Sequence, residues 1–458
     1  MIKLKADDPQ GKMTKLKTIV QFESNISSDN TNAGKQVGVE IITFDDVITA
    51  GKSNSSWAIY NASPDDIYML SYTSGTTGDP KGVKLSHKMV LQCGEATNKK
   101  LPADKRLTER DVYISYLPAA HSFEQALQAT SMVTGMRAGF YGGNPLTLVS
   151  EDLPALQPTF FPSVPRIYNR VYGKIKDTFS AATGCKASLI NNAVASKLAT
   201  YRNSGTLTHG CYDAVIFKKV KALVGGRVRV MITGAAPISA DVLDFLKICF
   251  CVPILEGYGM TETSAGSFTT DWTDAKSGHV GGPQGNVKIR LKDIPEMGYY
   301  STNQTPEGEC LFWGPSIMSG YFCNPEKTAE AFEGPPENGW LRSGDVVRVF
   351  DNGSIKIIDR AKNIFKLSQG EYVAPEKIEN ILIQSPWLGQ VWLHGDSLHN
   401  HTILIAVVDE IKFKSWCEAN GKPVEQASLD DQSLRDDVYA DVCKLCATNK
   451  LNSLETPK

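Results

Sequence analysis

Three apolar segments of this chain, 66–72, 227–233 and 253–256, run straight into glycine-rich turns. Short apolar runs bounded by turn residues read as buried strands, and helical patterns at 86–98 and 186–224 alternate with them, which is the grammar of an α/β fold. In open α/β sheets ligands collect outside the carboxyl ends of the strands, so binding residues are expected at these turns. A break at Asn203-Ser204-Gly205 interrupts the second helical stretch, and 111–117 reads as a further strand ending at Pro118. Residues 280–358 read as short β segments separated by Pro/Gly turns. Ahead of the first glycine-rich turn, strands are expected at 17–22 and 37–42, joined by a polar loop over 23–35. No internal repeat or low-complexity tract is evident.

The first turn is the most specific. It reads Tyr72-Thr73-Ser74-Gly75-Thr76-Thr77-Gly78-Asp79-Pro80-Lys81-Gly82. Gly75 and Gly78 let backbone N–H groups approach an anion closely, the hydroxyls of Thr73, Ser74, Thr76 and Thr77 add donors, and Lys81 supplies a mobile positive charge. The run therefore reads as a polyphosphate cradle. It is not a Walker loop, because Gly75 and Gly78 enclose two residues rather than four and Gly82 follows the lysine. A solvated Ser/Thr/Gly turn accounts for any three of these residues but poorly for the whole run.

Composition excludes some classes. With 458 residues, 41% hydrophobic, 21% charged and a net charge of −2, the chain has room for two or three domains and no general attraction for anionic surfaces, so nucleic acid is not an implied partner. Ten cysteines without a framework argue for a reducing compartment. Cys443 and Cys446 share a helical apolar pattern with Leu434, Val438, Val442 and Leu445, which favours core packing over a metal or redox pair. No signal peptide and no run of ~18–20 apolar residues, the length needed to span a bilayer, is found.

Further along, Gly234-Ala235-Ala236-Pro237, Tyr258-Gly259-Met260-Thr261-Glu262, Trp340-Leu341-Arg342-Ser343-Gly344-Asp345 and Ile358-Asp359-Arg360 follow the phosphate loop in order. This series resembles the adenylate-forming superfamily of acyl-CoA synthetases, luciferases and peptide-synthetase adenylation domains. Residues 338–379, with 117–124 and 156–166, are similar to the long-chain acyl-CoA synthetases within it. The resemblance spans nearly the whole chain from about residue 17.

The resemblance implies a large, multi-subdomain α/β AMP-binding domain at 1–360, incomplete at its start, and a smaller α+β domain at 361–458, incomplete at its end. It implies that a fatty acid carboxylate attacks the α-phosphate of ATP to give acyl-adenylate and pyrophosphate, after which coenzyme A displaces AMP. Charge management dominates such chemistry, which explains the donors, the cations and Mg²⁺.

By the same resemblance, Glu262 would hold Mg²⁺ and Thr261 the phosphate, beside Lys81. Gly234, Ala235, Ala236 and Tyr258 would line the adenine, Gly259 would belong to the same nucleotide site, Asp345 would accept from the ribose hydroxyls, and Arg360 would reach ribose or phosphate. His121 would stand beside the acyl carboxylate, though a satisfied structural histidine reads equally well. Lys362 would be the hinge between an adenylating and a thioester-forming arrangement, Lys366 would serve the second, and Gly370 would admit the pantetheine arm of coenzyme A.

The implied substrates are a long-chain fatty acid, ATP and coenzyme A. The implied setting is intracellular, on an endoplasmic reticulum or other organelle membrane facing the cytosol, through an anchoring segment absent from this sequence. A medium-chain or aryl acid ligase, or a nucleotide-binding protein without turnover, are the alternatives.

Overall fold

Residues 1–458 are described by a computed structural model, apart from Pro9, Gln10, Lys12, Ser55, Trp57, 74–79, Leu146, Lys362 and Gly370. Packing divides the chain into two units, Met1–Ser63 and Pro64–Lys458. In the first unit, strands β1 (Thr18–Gln21) and β2 (Glu40–Thr43) pair in parallel, connected by helix α1 (Ser28–Gln36) and followed by α2 (Phe44–Ser53). The stretch expected as a polar loop thus contains a helix. The Ser27 side chain accepts from the Asn30 N–H at 3.2 Å, and this N-cap offsets the weak helix propensity of a run rich in Asn, Asp and Thr. Thr43 and Asp46 form a capping box at the start of α2.

The second unit opens on an antiparallel hairpin, β3 (Ile67–Thr73) and β4 (Lys81–Ser86), whose register sets Thr73 opposite Lys81. The first glycine-rich turn therefore closes a two-stranded hairpin and does not end a strand of the main sheet. Residues 74–79 lie outside the described residues, but both ends of that turn are held by the ladder. Helix α3 (His87–Lys99) follows, capped by Ser86.

The main sheet takes β5 (Val112–Ser115), β6 (Arg137–Phe140), β7 (Phe160–Ser163), β8 (Val230–Thr233), β9 (Ile254–Tyr258), β10 (Phe268–Thr269) and β11 (Gly282–Pro283), in the order β11-β10-β9-β8-β7-β5-β6. Strands β6, β5, β7, β8 and β9 are parallel, and β10 pairs antiparallel with both β9 and β11. Helix α4 (Ser122–Thr134) covers one face, and α5 (Pro165–Ser180), α6 (Gly184–Ser204) and α7 (Ala240–Phe250) the other. Alternate residues of β8 show why its run is continuously apolar. Val230 and Ile232 pack with Leu127 of α4, while Met231 packs with Val171 of α5 and Leu246 of α7. Gly205, at φ +72°, ends α6 in the left-handed conformation, at the expected break.

A second, antiparallel sheet carries the expected short β segments: β12 (Lys288–Lys292), β13 (Glu307–Trp313), β14 (Phe332–Glu333), β15 (Trp340–Val349) and β16 (Ile355–Arg360), with helix α8 (Pro325–Ala331) before β14. Beyond residue 360 come the hairpin β17 (Phe365–Lys366) and β18 (Tyr372–Val373), α9 (Pro375–Leu382), the hairpin β19 (Leu388–His394) and β20 (Ile403–Val408), α10 (Glu410–Ala419) and α11 (Gln432–Thr448). The two hairpins, α9 and α11 share a local apolar cluster in which Cys446 packs with Val442, Ile378 and Leu393, while Cys443 is half-buried and outside it, so the core reading holds for Cys446 alone. All ten cysteines are unpaired. Among the described residues no helix is long and apolar enough to cross a membrane.

Candidate active site

Strand β9 carries the chain to Gly257 and Tyr258 before it turns, two residues later than its apolar run suggested. The chain then doubles back so tightly that a Cβ on Gly259 would lie 1.2 Å from the Ala265 carbonyl oxygen, so only glycine fits there. The short helical turn Thr261–Thr263 follows, and Ser264 and Ala265 take φ of +58° and +88°. This fold-back aims Tyr258 at the second sheet. Its ring stacks on Phe268 at 5.4 Å and on Phe312 at 6.3 Å, and its phenol donates to Oδ2 of Asp345.

Asp345 is buried on β15, in register with Arg360 on β16, and the Arg360 Nε stands 3.7 Å from Oδ1. Burial pushes the Asp345 carboxyl up to about 6, against the opposing pull of Tyr258 and Arg360. Arg360 is shared, since Glu376 at the start of α9 lies 3.7 Å from the same nitrogen. Beside it, the buried Asp359 accepts from the backbone N–H groups of Arg360 at 2.6 Å and Glu376 at 3.1 Å, and burial moves its carboxyl up to about 7.

Gly234, Ala235 and Ala236 leave β8 alongside this turn. A Cβ on Gly234 would meet the Gly257 carbonyl oxygen at 3.2 Å, and Ala235 holds φ +69°, so the two strand ends approach more closely than ordinary side chains allow. Just inside, Thr233 and Glu256 are opposite each other across β8 and β9. Thr233 Oγ1 and Glu256 Oε2 are buried and, among the described residues, without a hydrogen-bond partner. Burial raises the Glu256 carboxyl to about 8, with Lys247 pulling the other way. Buried polar atoms are nearly always satisfied, so this pair suits a water or a polar ligand atom.

Lys81 and Glu262 come together through a residue that the sequence reading passed over. The Tyr321 phenol donates to Glu262 Oε1 at 3.0 Å, and the Lys81 Nζ stands 5.2 Å from the centre of the same ring. No local pattern marks Tyr321, because its partners lie 59 residues and more away along the chain. Among the described residues no group of three or more His, Cys, Asp and Glu could hold a metal. A single carboxylate with one engaged oxygen suits a hard cation that arrives with phosphate oxygens as its other ligands, as Mg²⁺ does on ATP.

Of the remaining expected residues, His121 and Lys366 belong to neither of these two groups. His121 caps α4, its Nδ1 accepting from the Phe123 N–H at 3.1 Å. Its loop is tied to β3, where the Ser71 hydroxyl donates to the Ala120 carbonyl at 3.4 Å. Lys366 is exposed, with its Nζ 5.2 Å from the Tyr372 ring across the small hairpin. Thr261 lies beside Glu262 in the turn. Ser74, Gly75, Thr76, Thr77, Gly78, Lys362 and Gly370 lie outside the described residues.

Residues 2–322 match the family described as AMP-binding enzyme. Among curated proteins, the chain is 41% identical over 385 residues to peroxisomal long chain acyl-CoA synthetase 6 of Arabidopsis thaliana, covering 84% of this chain and 54% of that protein. It is 38% identical over 444 residues to long-chain-fatty-acid–CoA ligase 5 of Rattus norvegicus, covering 97% of this chain and 64% of that one. The chain thus spans less than two thirds of the length of these relatives. Among solved structures it is similar to the adenylation domain of a carboxylate reductase from Mycobacterium chelonae, with a TM-score of 0.75 and 23% identity, covering 100% of this chain and 66% of that one. The A domain of a carboxylic acid reductase from Segniliparus rugosus, solved with AMP and a co-purified carboxylic acid, gives a TM-score of 0.74 and 24% identity, covering 97% of this chain and 65% of that one. The fold is that of these adenylation domains.

Proposed function

Since this chain belongs to the AMP-binding enzyme family, we propose that its protein activates a long-chain fatty acid: ATP and the acid give acyl-adenylate and pyrophosphate, and coenzyme A then displaces AMP to give acyl-CoA. The named activities of the two curated relatives support the choice of acid and thiol. The observation that carries the reading is the pair of clusters flanking the turn after β9. Asp345, Tyr258 and Arg360 form one, and Lys81, Tyr321 and Glu262 the other.

In this reading Asp345 accepts from the ribose hydroxyls and Arg360 adds a cationic donor beside it. The loop between Thr73 and Lys81 cradles the phosphates. Glu262 would hold the Mg²⁺ that arrives with ATP, an ion that would supply neutralisation of phosphate charge, and Thr261 donates to a phosphate oxygen. Lys81 stabilises the charge that develops as pyrophosphate leaves. His121 stands at the acyl carboxylate, and the alanines after β8 admit the adenine ring.

The boundary of the smaller domain falls near residue 360, with Lys362 as its hinge. Lys366 and Gly370 serve the thioester-forming arrangement. The setting is intracellular, at an organelle membrane, a reading supported by the peroxisomal label of one relative. The test is pyrophosphate release from ATP with palmitate in competition with shorter and aromatic acids. Palmitate dependence supports the assignment, and preference for an aromatic or short acid replaces it with another acid ligase.

A further inference from the structure

Tyr321 stands between the two oppositely charged groups of the phosphate site. The segment that carries it is laced to both sides. Tyr321 bridges Val83 in antiparallel fashion, Lys84 donates its N–H to the Gly320 carbonyl at 3.1 Å, and Phe322 donates to the Gly82 carbonyl at 2.7 Å, so residues 320–322 run as an added strand along β4, the strand that begins with Lys81. Met318 donates its N–H to the Glu262 carbonyl at 2.8 Å, and the Ser264 hydroxyl donates to the Ser316 carbonyl at 2.8 Å, which ties the same segment to the turn holding Glu262. A third anchor is the Thr328 hydroxyl of α8, which accepts from the Tyr321 N–H at 2.9 Å. Gly320, at φ +128°, has Thr328 Cγ2 2.6 Å from where its Cβ would be, so the backbone conformation at this point is specific.

With the backbone fixed three ways and only 8% of the residue exposed, the Tyr321 ring has little freedom. Its hydroxyl takes one lone pair of Glu262, and its face attracts the Lys81 ammonium. Lys81 and Glu262 form no ion pair among those of the described residues. A direct pair would neutralise both groups and withdraw them from phosphate and cation.

We propose that Tyr321 is a positioning residue for Mg·ATP: it holds Lys81 and Glu262 apart, and its hydroxyl orients the Glu262 carboxylate so that the other oxygen faces the cation. The proposal rests on the nucleotide role given to this site above but not on the identity of the acid. Its chemistry predicts a split. The hydroxyl acts only on the cation side, through Glu262, and the ring only on the phosphate side, through Lys81.

The experiment is calorimetric titration of ATP with excess Mg²⁺ and with EDTA into wild type, Tyr321→Phe and Tyr321→Leu, with melting temperatures recorded alongside. Tyr321→Phe keeps shape and ring, so its affinity in EDTA is expected within about twofold of wild type, while the gain in affinity on adding Mg²⁺ falls about tenfold or more, the size of one hydrogen bond to a charged group. Tyr321→Leu removes the ring as well and is expected to weaken binding in EDTA by about threefold or more. A Tyr321→Phe protein whose Mg²⁺ gain matches wild type overturns the proposal, as does one that loses affinity equally in EDTA and Mg²⁺. Acid-dependent pyrophosphate release is measured separately on wild type. Its absence, with the Mg²⁺ split intact, removes the ligase reading and leaves the role of Tyr321 standing.

Discussion

The phenol of Tyr258 donates to Asp345 across 87 residues of sequence, joining the last strand of the parallel run to the second sheet. That bond brings the Asp345 carboxylate beside the turn that carries Glu262.

Asp345 is held at about 6, above the ordinary aspartate range, chiefly by burial. The folded, ligand-free protein therefore keeps a proton that the unfolded chain releases, and the stability from this group is present below the ordinary range and lost as pH rises through about 6. Nucleotide binding has the opposite sign, because the ribose hydroxyls need an ionised acceptor. AMP affinity measured by titration is expected to fall as pH drops below about 6, by up to about tenfold per unit, and Asp345→Asn is expected to bind weakly without that step. A profile flat from pH 5 to 8 removes Asp345 from the ribose.

Lys81→Ala and Glu262→Gln alter phosphate charge and leave the core in place. Each is expected to lower the rate of pyrophosphate release by about a hundredfold or more, the cost of about 3–4 kcal/mol of lost transition-state stabilisation. Circular dichroism should be unchanged. A rate within twofold of wild type for either variant excludes that residue.

Gly259→Ala places a methyl where the Ala265 carbonyl oxygen now sits. The turn must open, at a cost of about 3 kcal/mol or more, and Tyr258 is expected to lose Asp345. The melting temperature should fall by several degrees and AMP binding should be lost with it. A variant with wild-type melting and AMP affinity contradicts the packing described for this turn.

Glu256 is buried on β9, and burial raises its carboxyl to about 8. Its stabilising contribution is present below the ordinary glutamate range and is lost as pH rises toward 8, since the unfolded chain ionises first. Glu256→Gln removes that dependence. Its melting temperature should match or exceed wild type at pH 8 and lose its advantage at pH 5, by an amount on the order of 1–2 kcal/mol in stability. Parallel melting curves across that range test the burial.

Local patterns carried much of this. The runs ending at Thr233 and Glu256 were legible because both faces of a parallel strand are covered, and the glycine-rich turns after them marked the strand ends, although β9 continues two residues further to Tyr258. The helix over Ser28–Gln36 was missed because a single cap at Ser27 outweighs a polar composition. The hairpin from Ile67 to Ser86 read as part of an open sheet, since strand direction depends on a partner that periodicity does not reveal. Asp345 was found through motif order alone, and its bond to Tyr258 is a product of packing. Tyr321 had no signal, because its role exists only where three distant segments meet.

The most direct test of the central claim is the rate of pyrophosphate release from Mg·ATP with and without palmitate, for wild type and Lys81→Ala. The account predicts release that depends on palmitate in wild type and falls about a hundredfold in the variant. Release that ignores the acid, or that survives unchanged in a folded Lys81→Ala protein, contradicts it.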